Sequence, residues 1–337
     1  MAKITILGAG AMGSALTIPL ADNGHDIKLW FTEFDKPILN ALAQGREHPR
    51  LKTRLPKEIS LYGPSSLKEA VEDSEVIVIA VSSKGVYPIT QRLRDVGGYE
   101  GKIVMTVTKG IEEFNGEFMT MTQVISKNLG GVDIVFVSGP SLAAELSRRM
   151  PTHVVYSSVR EEVALEAKKI FETQYYRISV TSDVIGTELC AALKNPYAIA
   201  YGIVEGYSAK NSVEGYKNLR ASMITKSVSE MAEIVSRLGG KKETAFGLSG
   251  FGDLYVTCLG GRNGLFGRLL GSGLSVEEAF KEMKARNLGV VEGYANALTL
   301  HNFLLRKGIG PRDAPIIHTV YKILYEGYDA TKVINVL

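Results

Sequence analysis

The segment Gly8-Ala9-Gly10-Ala11-Met12-Gly13 constrains the fold more than any other part of the chain. A strand rich in β-branched residues, 3–7, runs into it. A segment with helical spacing, 12–23, runs out of it and stops at Gly24, and a second strand follows at 26–30. In that setting each glycine has a task. Gly8 permits a tight turn, Gly10 lets backbone approach a bulky anion, and Gly13 lets helix and strand pack closely. The first N–H groups of a helix are unpaired and carry partial positive charge. The turn is therefore expected to hold the pyrophosphate of a dinucleotide on Gly8, Gly10, Ala11, Met12 and Gly13. Outside a strand–turn–helix the same letters would be an ordinary glycine-rich turn.

The rest of the first half alternates strand and helix signals, as a βαβ series does. Strands are expected at 75–81, 102–108, 134–137 and 153–157, with an edge strand at 177–180. Helices are expected at 36–44, 65–71, 87–96, 142–149 and 161–171. The unbroken apolar run Val76-Ile77-Val78-Ile79-Ala80-Val81 fits a parallel strand buried on both faces. From about Val184 strand runs vanish, and helical segments follow at 185–205, 219–238, 276–286, 292–307 and 316–325. The expected architecture is α/β: an N-terminal Rossmann doubly wound sheet over residues 1–183, then an all-helical domain over 184–337. A chain of 337 residues is long enough for two such cores.

The second strand ends Leu29-Trp30-Phe31-Thr32-Glu33. Strict NAD use places a ribose-binding acid just after that strand, and NADP use places an arginine nearby. Thr32 stands there instead, Glu33 is slightly late, and Arg46 and Arg50 are the next basic candidates. The balance tilts to NADP, with NAD left open.

Polar motifs fall where βα loops should reach a ligand beyond the carboxyl ends of the strands. Thr108-Lys109-Gly110 and Ser138-Gly139-Pro140-Ser141 are two such turns. In the helical half, Lys194 lies between Cys190-Ala191-Ala192-Leu193 and Tyr197-Ala198-Ile199-Ala200. A lysine in apolar surroundings needs a partner or a task, and one made less basic by burial suits proton transfer to a ketone oxygen. Snorkelling at a helix edge is the plainer explanation. Asp253, among Gly247, Gly250 and Gly252, could orient Lys194 or simply cap a helix. Arg262 and Asn263 offer a guanidinium fork and amide donors for phosphate; a solvated Arg-Asn turn is the plainer explanation. Glu292 places an acid at a helix start.

In chain order these segments resemble the NAD(P)-dependent glycerol-3-phosphate dehydrogenases: Gly8–Gly13, Thr108-Lys109-Gly110, Ser138-Gly139-Pro140-Ser141 with Ala144-Glu145, Asp183 with Glu188, Leu193-Lys194-Asn195, Gly252-Asp253-Leu254 with Thr257-Cys258, Arg262-Asn263 and Val291-Glu292-Gly293. The resemblance spans nearly the whole chain. It implies reduction of dihydroxyacetone phosphate to sn-glycerol 3-phosphate, for glycerophospholipid synthesis or glycerol metabolism, on a fold like that of 6-phosphogluconate dehydrogenase. It implies Lys194 as general acid/base, with Lys109 and Asp253 orienting it and the substrate. Gly139, Ser141, Arg262 and Asn263 would bind substrate; Thr32, Lys109, Ala143, Arg262, Val290 and Glu292 would border the cofactor. It also implies a helical domain closing over the crevice, and a homodimer. The chain departs from the family in four places: Ala11-Met12 replaces a Ser–aromatic pair, Thr32 stands near an expected arginine, Gly261 replaces a serine before a shortened loop, and Pro196 replaces a small apolar residue.

Two other readings stand beside this one. A β-hydroxyacid dehydrogenase would need an asparagine four residues after its lysine and a Ser-Gly-Gly turn, whereas Asn195 follows Lys194 directly. A regulatory module that only senses NAD(P) would have no need of Lys109, Lys194, Asp253 and Arg262 together. A formal charge of +3 is too mild to argue for nucleic acid. The histidines lack metal-ligand spacing. No signal segment or membrane span is visible, and two cysteines make no disulfide framework, so the cytoplasm is expected.

Overall fold

A computed structural model of the protein describes residues 1–210 and 216–337. The apolar runs become strands β1 (Lys3–Leu7), β2 (Asp26–Trp30), β3 (Ser60–Tyr62), β4 (Val76–Ile79) and β5 (Ile103–Thr106), the ribbon β6 (Ile111–Phe114) and β7 (Glu117–Thr120), and then β8 (Asp133–Ser138), β9 (Thr152–Ser157) and β10 (Tyr176–Thr181). Eight of them form one sheet in the order β10-β9-β8-β5-β4-β1-β2-β3. From β3 to β8 every pairing is parallel. This is the doubly wound order of a Rossmann fold, whose direction of winding reverses between β1 and β4 and opens a crevice there. Beyond β8 the direction changes: β9 runs antiparallel to β8, and β10 runs parallel to β9 at the edge. Every residue of β4 and β5 is buried, which is why neither strand alternates polar with apolar.

The chain divides into two compact units. The first is Met1–Glu112 with Met119–Val184, and the second is Glu113–Phe118 with Ile185–Leu337. The expected division did not separate the ribbon tip Glu113–Phe118, which groups with the second unit. There Arg306 donates to the Gly116 carbonyl at 2.7 Å and to Glu113 at 2.9 Å, and its guanidinium lies over Phe118, 4.7 Å from the ring centre.

The second unit is built on the 27-residue helix Val184–Lys210, buried on nearly every side. Pro196 sits inside it and removes the N–H that would have bonded to the Ala192 carbonyl. The other helices include Lys217–Arg237, Asp253–Cys258, Arg262–Gly271, Val276–Ala285, Glu292–Arg306 and Pro315–Tyr325. Arg262 and Asn263, outside every expected helix, form the first turn of one. Glycine makes that helix hard to read and possible to pack. A Cβ on Gly267 would lie 2.2 Å from the Ile199 carbonyl oxygen, and one on Gly271 2.0 Å from that of Ile203. The two helices therefore meet backbone to backbone, and the propensity lost to glycine is offset by close packing.

Candidate active site

In the first unit the fingerprint turn has the shape its glycines require. Gly8 has φ +109°, and a Cβ there would meet the Ala80 carbonyl oxygen at 2.8 Å; one on Gly13 would lie 2.1 Å from the Gly8 carbonyl oxygen. A Cβ on Gly10 would meet nothing within 4 Å, which leaves space for a ligand beside the backbone. The helix Ala11–Asp22 that follows has no side-chain cap and no acid in its first turn. Its leading N–H groups, from Ala11, Met12 and Gly13, are thus left to an outside acceptor. The residues present fit a dinucleotide pyrophosphate on these grounds. Gly8, Gly10, Thr32, Glu33 and Arg50 line a cavity of about 340 Å³, together with Val81, Ser82 and Arg92. Arg46 does not line it.

Two side chains brace this turn, and the sequence reading passed over both. His48 is fully buried. Its Nδ1 accepts from the Arg50 and Leu51 N–H groups, so Nε2 carries the proton and donates to the Ala9 carbonyl at 3.1 Å. Burial pushes the His48 pKa down, in keeping with a neutral ring. From the other side, Asp35 Oδ2 accepts from the Thr32 N–H at 3.0 Å, the Thr32 hydroxyl at 2.7 Å and the Ala9 N–H at 3.4 Å. The Thr-x-x-Asp spacing is a capping-box signal that could have revealed Asp35; nothing in the sequence singles out His48.

The other first-unit candidates sit at the carboxyl ends of neighbouring strands. Thr108, after β5, donates from its hydroxyl to the Val81 carbonyl at 2.7 Å. Lys109 Nζ donates to the Gly139 carbonyl at 3.2 Å, which joins the β5 turn to the β8 turn. Gly139 needs φ +93°, and a Cβ there would press on Val154 Cα at 3.3 Å. The Ser141 hydroxyl lies 3.9 Å from Met12 Sδ. Ala143 opens a short helix, Ala143–Leu146, and packs on the core beside Ala11 and Met12. Sequence positions 8 to 143 thus meet around one end of the sheet.

The second unit assembles its own constellation. Lys194 Nζ donates to Asp253 Oδ1 at 2.6 Å. The lysine side chain is 13% exposed and the aspartate 2%, so two residues far apart in sequence form a nearly buried ion pair with a small opening at the lysine. Asp253 begins the helix Asp253–Cys258 after a wide π-type turn, Leu248–Gly252. A Cβ on Gly250 would lie 2.1 Å from the Ala245 carbonyl oxygen, so glycine in that turn is a packing requirement. Asn195 Oδ1 accepts from Asn263 Nδ2 at 2.9 Å, and Asn263 Oδ1 accepts from the Gly293 N–H at 2.9 Å. This buried relay ties together three helices and fixes the first turn that carries Arg262. Arg262 donates to Glu292 Oε1 at 3.2 Å. Both side chains are well exposed, and an exposed pair of this kind is weak and easily exchanged. Val290 is exposed on the loop before Glu292.

A Rossmann sheet with a glycine cradle, followed by a helical unit carrying a buried Lys–Asp pair, defines the class: a nicotinamide-dinucleotide oxidoreductase. Residues 3–164 match the family profile described as NAD-dependent glycerol-3-phosphate dehydrogenase N-terminus, and residues 183–335 match the profile for its C-terminus. The NADP(+)-dependent glycerol-3-phosphate dehydrogenase of Archaeoglobus fulgidus is 41% identical over 98% of this chain and 97% of its own. The glycerol-3-phosphate dehydrogenase [NAD(P)+] of Fusobacterium nucleatum is 34% identical over 100% and 96%. The crystal structure of glycerol-3-phosphate dehydrogenase from Coxiella burnetii matches with a TM-score of 0.86 at 31% identity, over 99% of this chain and 98% of that one. The chain belongs to the NAD(P)-dependent glycerol-3-phosphate dehydrogenase family.

Proposed function

We propose that Lys194 is the general acid/base of the family's reaction in this chain, the reversible reduction of dihydroxyacetone phosphate to sn-glycerol 3-phosphate. The activity follows from the family, since full-length relatives at 41% and 34% identity are enzymes of that name using NADP(+) or NAD(P)+. One observation supports the assignment of the lysine: the 2.6 Å pair with Asp253, buried except for a small opening at Lys194.

A dinucleotide held on the Gly8–Gly13 turn would supply a hydride in one direction and accept it in the other. As negative charge develops on the ketone oxygen, the Lys194 ammonium gives it a proton; in reverse, neutral Lys194 takes the proton from the C2 hydroxyl. Asp253 compensates the charge of the ammonium and holds its direction. Arg262 exchanges Glu292 for the substrate phosphate, for which its planar fork is suited, and Asn263 adds an amide donor. Lys109 and the turn containing Gly139 and Ser141 orient the substrate. Ala143, Arg262, Val290 and Glu292 border the nicotinamide. In this reading residues 1–183 hold the dinucleotide and residues 184–337 supply substrate binding and proton transfer. NADP is the favoured cofactor, in line with the relative from Archaeoglobus fulgidus.

The same reading places the working form as a homodimer in the cytoplasm, supplying glycerophospholipid synthesis or glycerol metabolism. Both cysteines, Cys190 and Cys258, are buried free thiols, and among the described residues no helix is long and apolar enough to cross a membrane. Light scattering at twice the chain mass of 36.6 kDa is the expected result. The chemistry is tested by Lys194→Ala, which should lower kcat by about 10²–10⁴-fold while cofactor affinity stays within about twofold. A variant with near-normal kcat would remove Lys194 from the role.

A further inference from the structure

The cavity beside the fingerprint turn carries a charge arrangement that the turn itself does not call for. We propose that Arg92, on the helix Ser83–Val96, reads the 2′-phosphate of NADP in this chain, with Arg50 as a second cation and Glu33 as a displaceable counter-ion. The inference rests on the dinucleotide reading of that cavity.

Thr32 occupies the position after β2 where a ribose-binding acid or a phosphate-binding arginine is expected. The nearest acids cannot simply replace it. Asp35 is buried and is committed to Thr32 and the Ala9 N–H. Glu33 is exposed but accepts from Arg92 at 2.8 Å. An arginine from a different helix has therefore entered the space beside the end of β2. Its guanidinium carbon lies 4.9 Å from the centre of the Trp30 ring, and its Nη2 donates to the Pro64 carbonyl at 2.9 Å. Trp30 and Pro64 thus set the direction of the fork while engaging little of its donor capacity. Two of its five N–H groups are occupied, one by Pro64 and one by Glu33.

Arg92, Arg50, Thr32 and Glu33 all line this one cavity. Arg92 and Glu33 are 38% and 59% exposed, and such a pair is weak in water. A phosphate dianion offers Arg92 more charge and a bidentate geometry, so it takes the guanidinium from Glu33. A 2′-hydroxyl has no charge with which to do so. Arg92 thereby supplies from the helix after β4 what the end of β2 lacks.

The test uses the full-length protein and measures adenosine 2′,5′-bisphosphate and adenosine 5′-monophosphate binding by calorimetry, alongside KM for NADPH and NADH. Arg92→Ala should weaken adenosine 2′,5′-bisphosphate binding and raise the NADPH KM by about 10- to 100-fold, the range for hydrogen bonds to a charged group. Adenosine 5′-monophosphate and NADH should change by less than about threefold on the same scale. Arg92→Lys should restore part of the loss, because it keeps the charge and loses the fork. Glu33→Gln should tighten the bisphosphate. Equal losses for phosphorylated and unphosphorylated nucleotides would mean that Arg92 only supports the Trp30 wall, and an unchanged NADPH KM would also overturn the assignment. The calorimetry needs no turnover: if the unaltered chain binds neither nucleotide, the cofactor reading of the cavity itself falls.

Discussion

In the first unit the surface offered to a ligand is largely backbone: the N–H groups that open the helix Ala11–Asp22, and a turn in which Gly8 and Gly13 leave no room for a Cβ. In the second unit it is side chains: Lys194 on Asp253, Arg262 on Glu292, and the Asn195–Asn263–Gly293 relay. A backbone cradle is rigid once its turn is formed and serves any ligand carrying a pyrophosphate. A side-chain constellation needs other side chains to hold it, and each member can be exchanged singly. The two units should therefore fail differently when altered.

The largest effect on ligand binding is expected where backbone meets backbone. Gly13→Ala would push a Cβ to 2.1 Å from the Gly8 carbonyl oxygen, and the turn must open to relieve it. Overpacking of this kind typically costs about 1–3 kcal/mol, occasionally more, and dinucleotide affinity should fall with it by about 5- to 150-fold or more, read by fluorescence titration. Retained affinity would show that the turn is not the cradle. Arg262→Ala should act mainly on the substrate: its KM rises by about 10- to 100-fold, the range for a lost charge-assisted contact, with a smaller loss in cofactor affinity. An unaltered KM would take Arg262 out of the phosphate site.

The smallest effect on turnover is expected at Glu230, which is buried in the second unit. It accepts from the Ile316 and Ile317 N–H groups at 2.8 and 3.1 Å and from the Tyr197 hydroxyl at 3.3 Å. Burial pushes its pKa up to about 7 despite these bonds. A carboxyl whose folded pKa lies above its unfolded value binds more protons in the folded state between the two. Stability is then lost as pH rises from about 4.5 to about 7. Glu230→Gln keeps an acceptor and has no proton to lose, so the slope of urea stability against pH in that window should flatten while kcat at neutral pH barely moves. An unchanged slope would contradict the assignment.

The contrast between the units also governs how far each could be read from sequence. The cradle was legible because glycine spacing reports backbone geometry directly, and β4 and β5 were legible because strands covered on both faces are continuously apolar. The strand β3, only Ser60–Tyr62 and partly exposed, and the ribbon β6–β7 carry no such pattern. The helix Arg262–Gly271 was not among the expected helices because its glycines, which let it pack on Val184–Lys210, are also what propensity counts against a helix. Lys194 and Asp253 were each ambiguous alone, a snorkelling lysine and a helix cap; only the fold brings them to 2.6 Å. His48 and Arg92 were missed because only the fold brings them to their partners, Ala9 for His48 and Trp30 and Glu33 for Arg92, and local spacing carries no information about that.

The central claim is that one chain joins a dinucleotide cradle to a proton-transfer site for a triose phosphate. The direct test follows the absorbance of NADH and of NADPH in parallel while purified protein is mixed with dihydroxyacetone phosphate. Oxidation of cofactor, faster with NADPH, is the predicted result. No oxidation of either, by folded protein that still binds the nucleotide, would contradict the account.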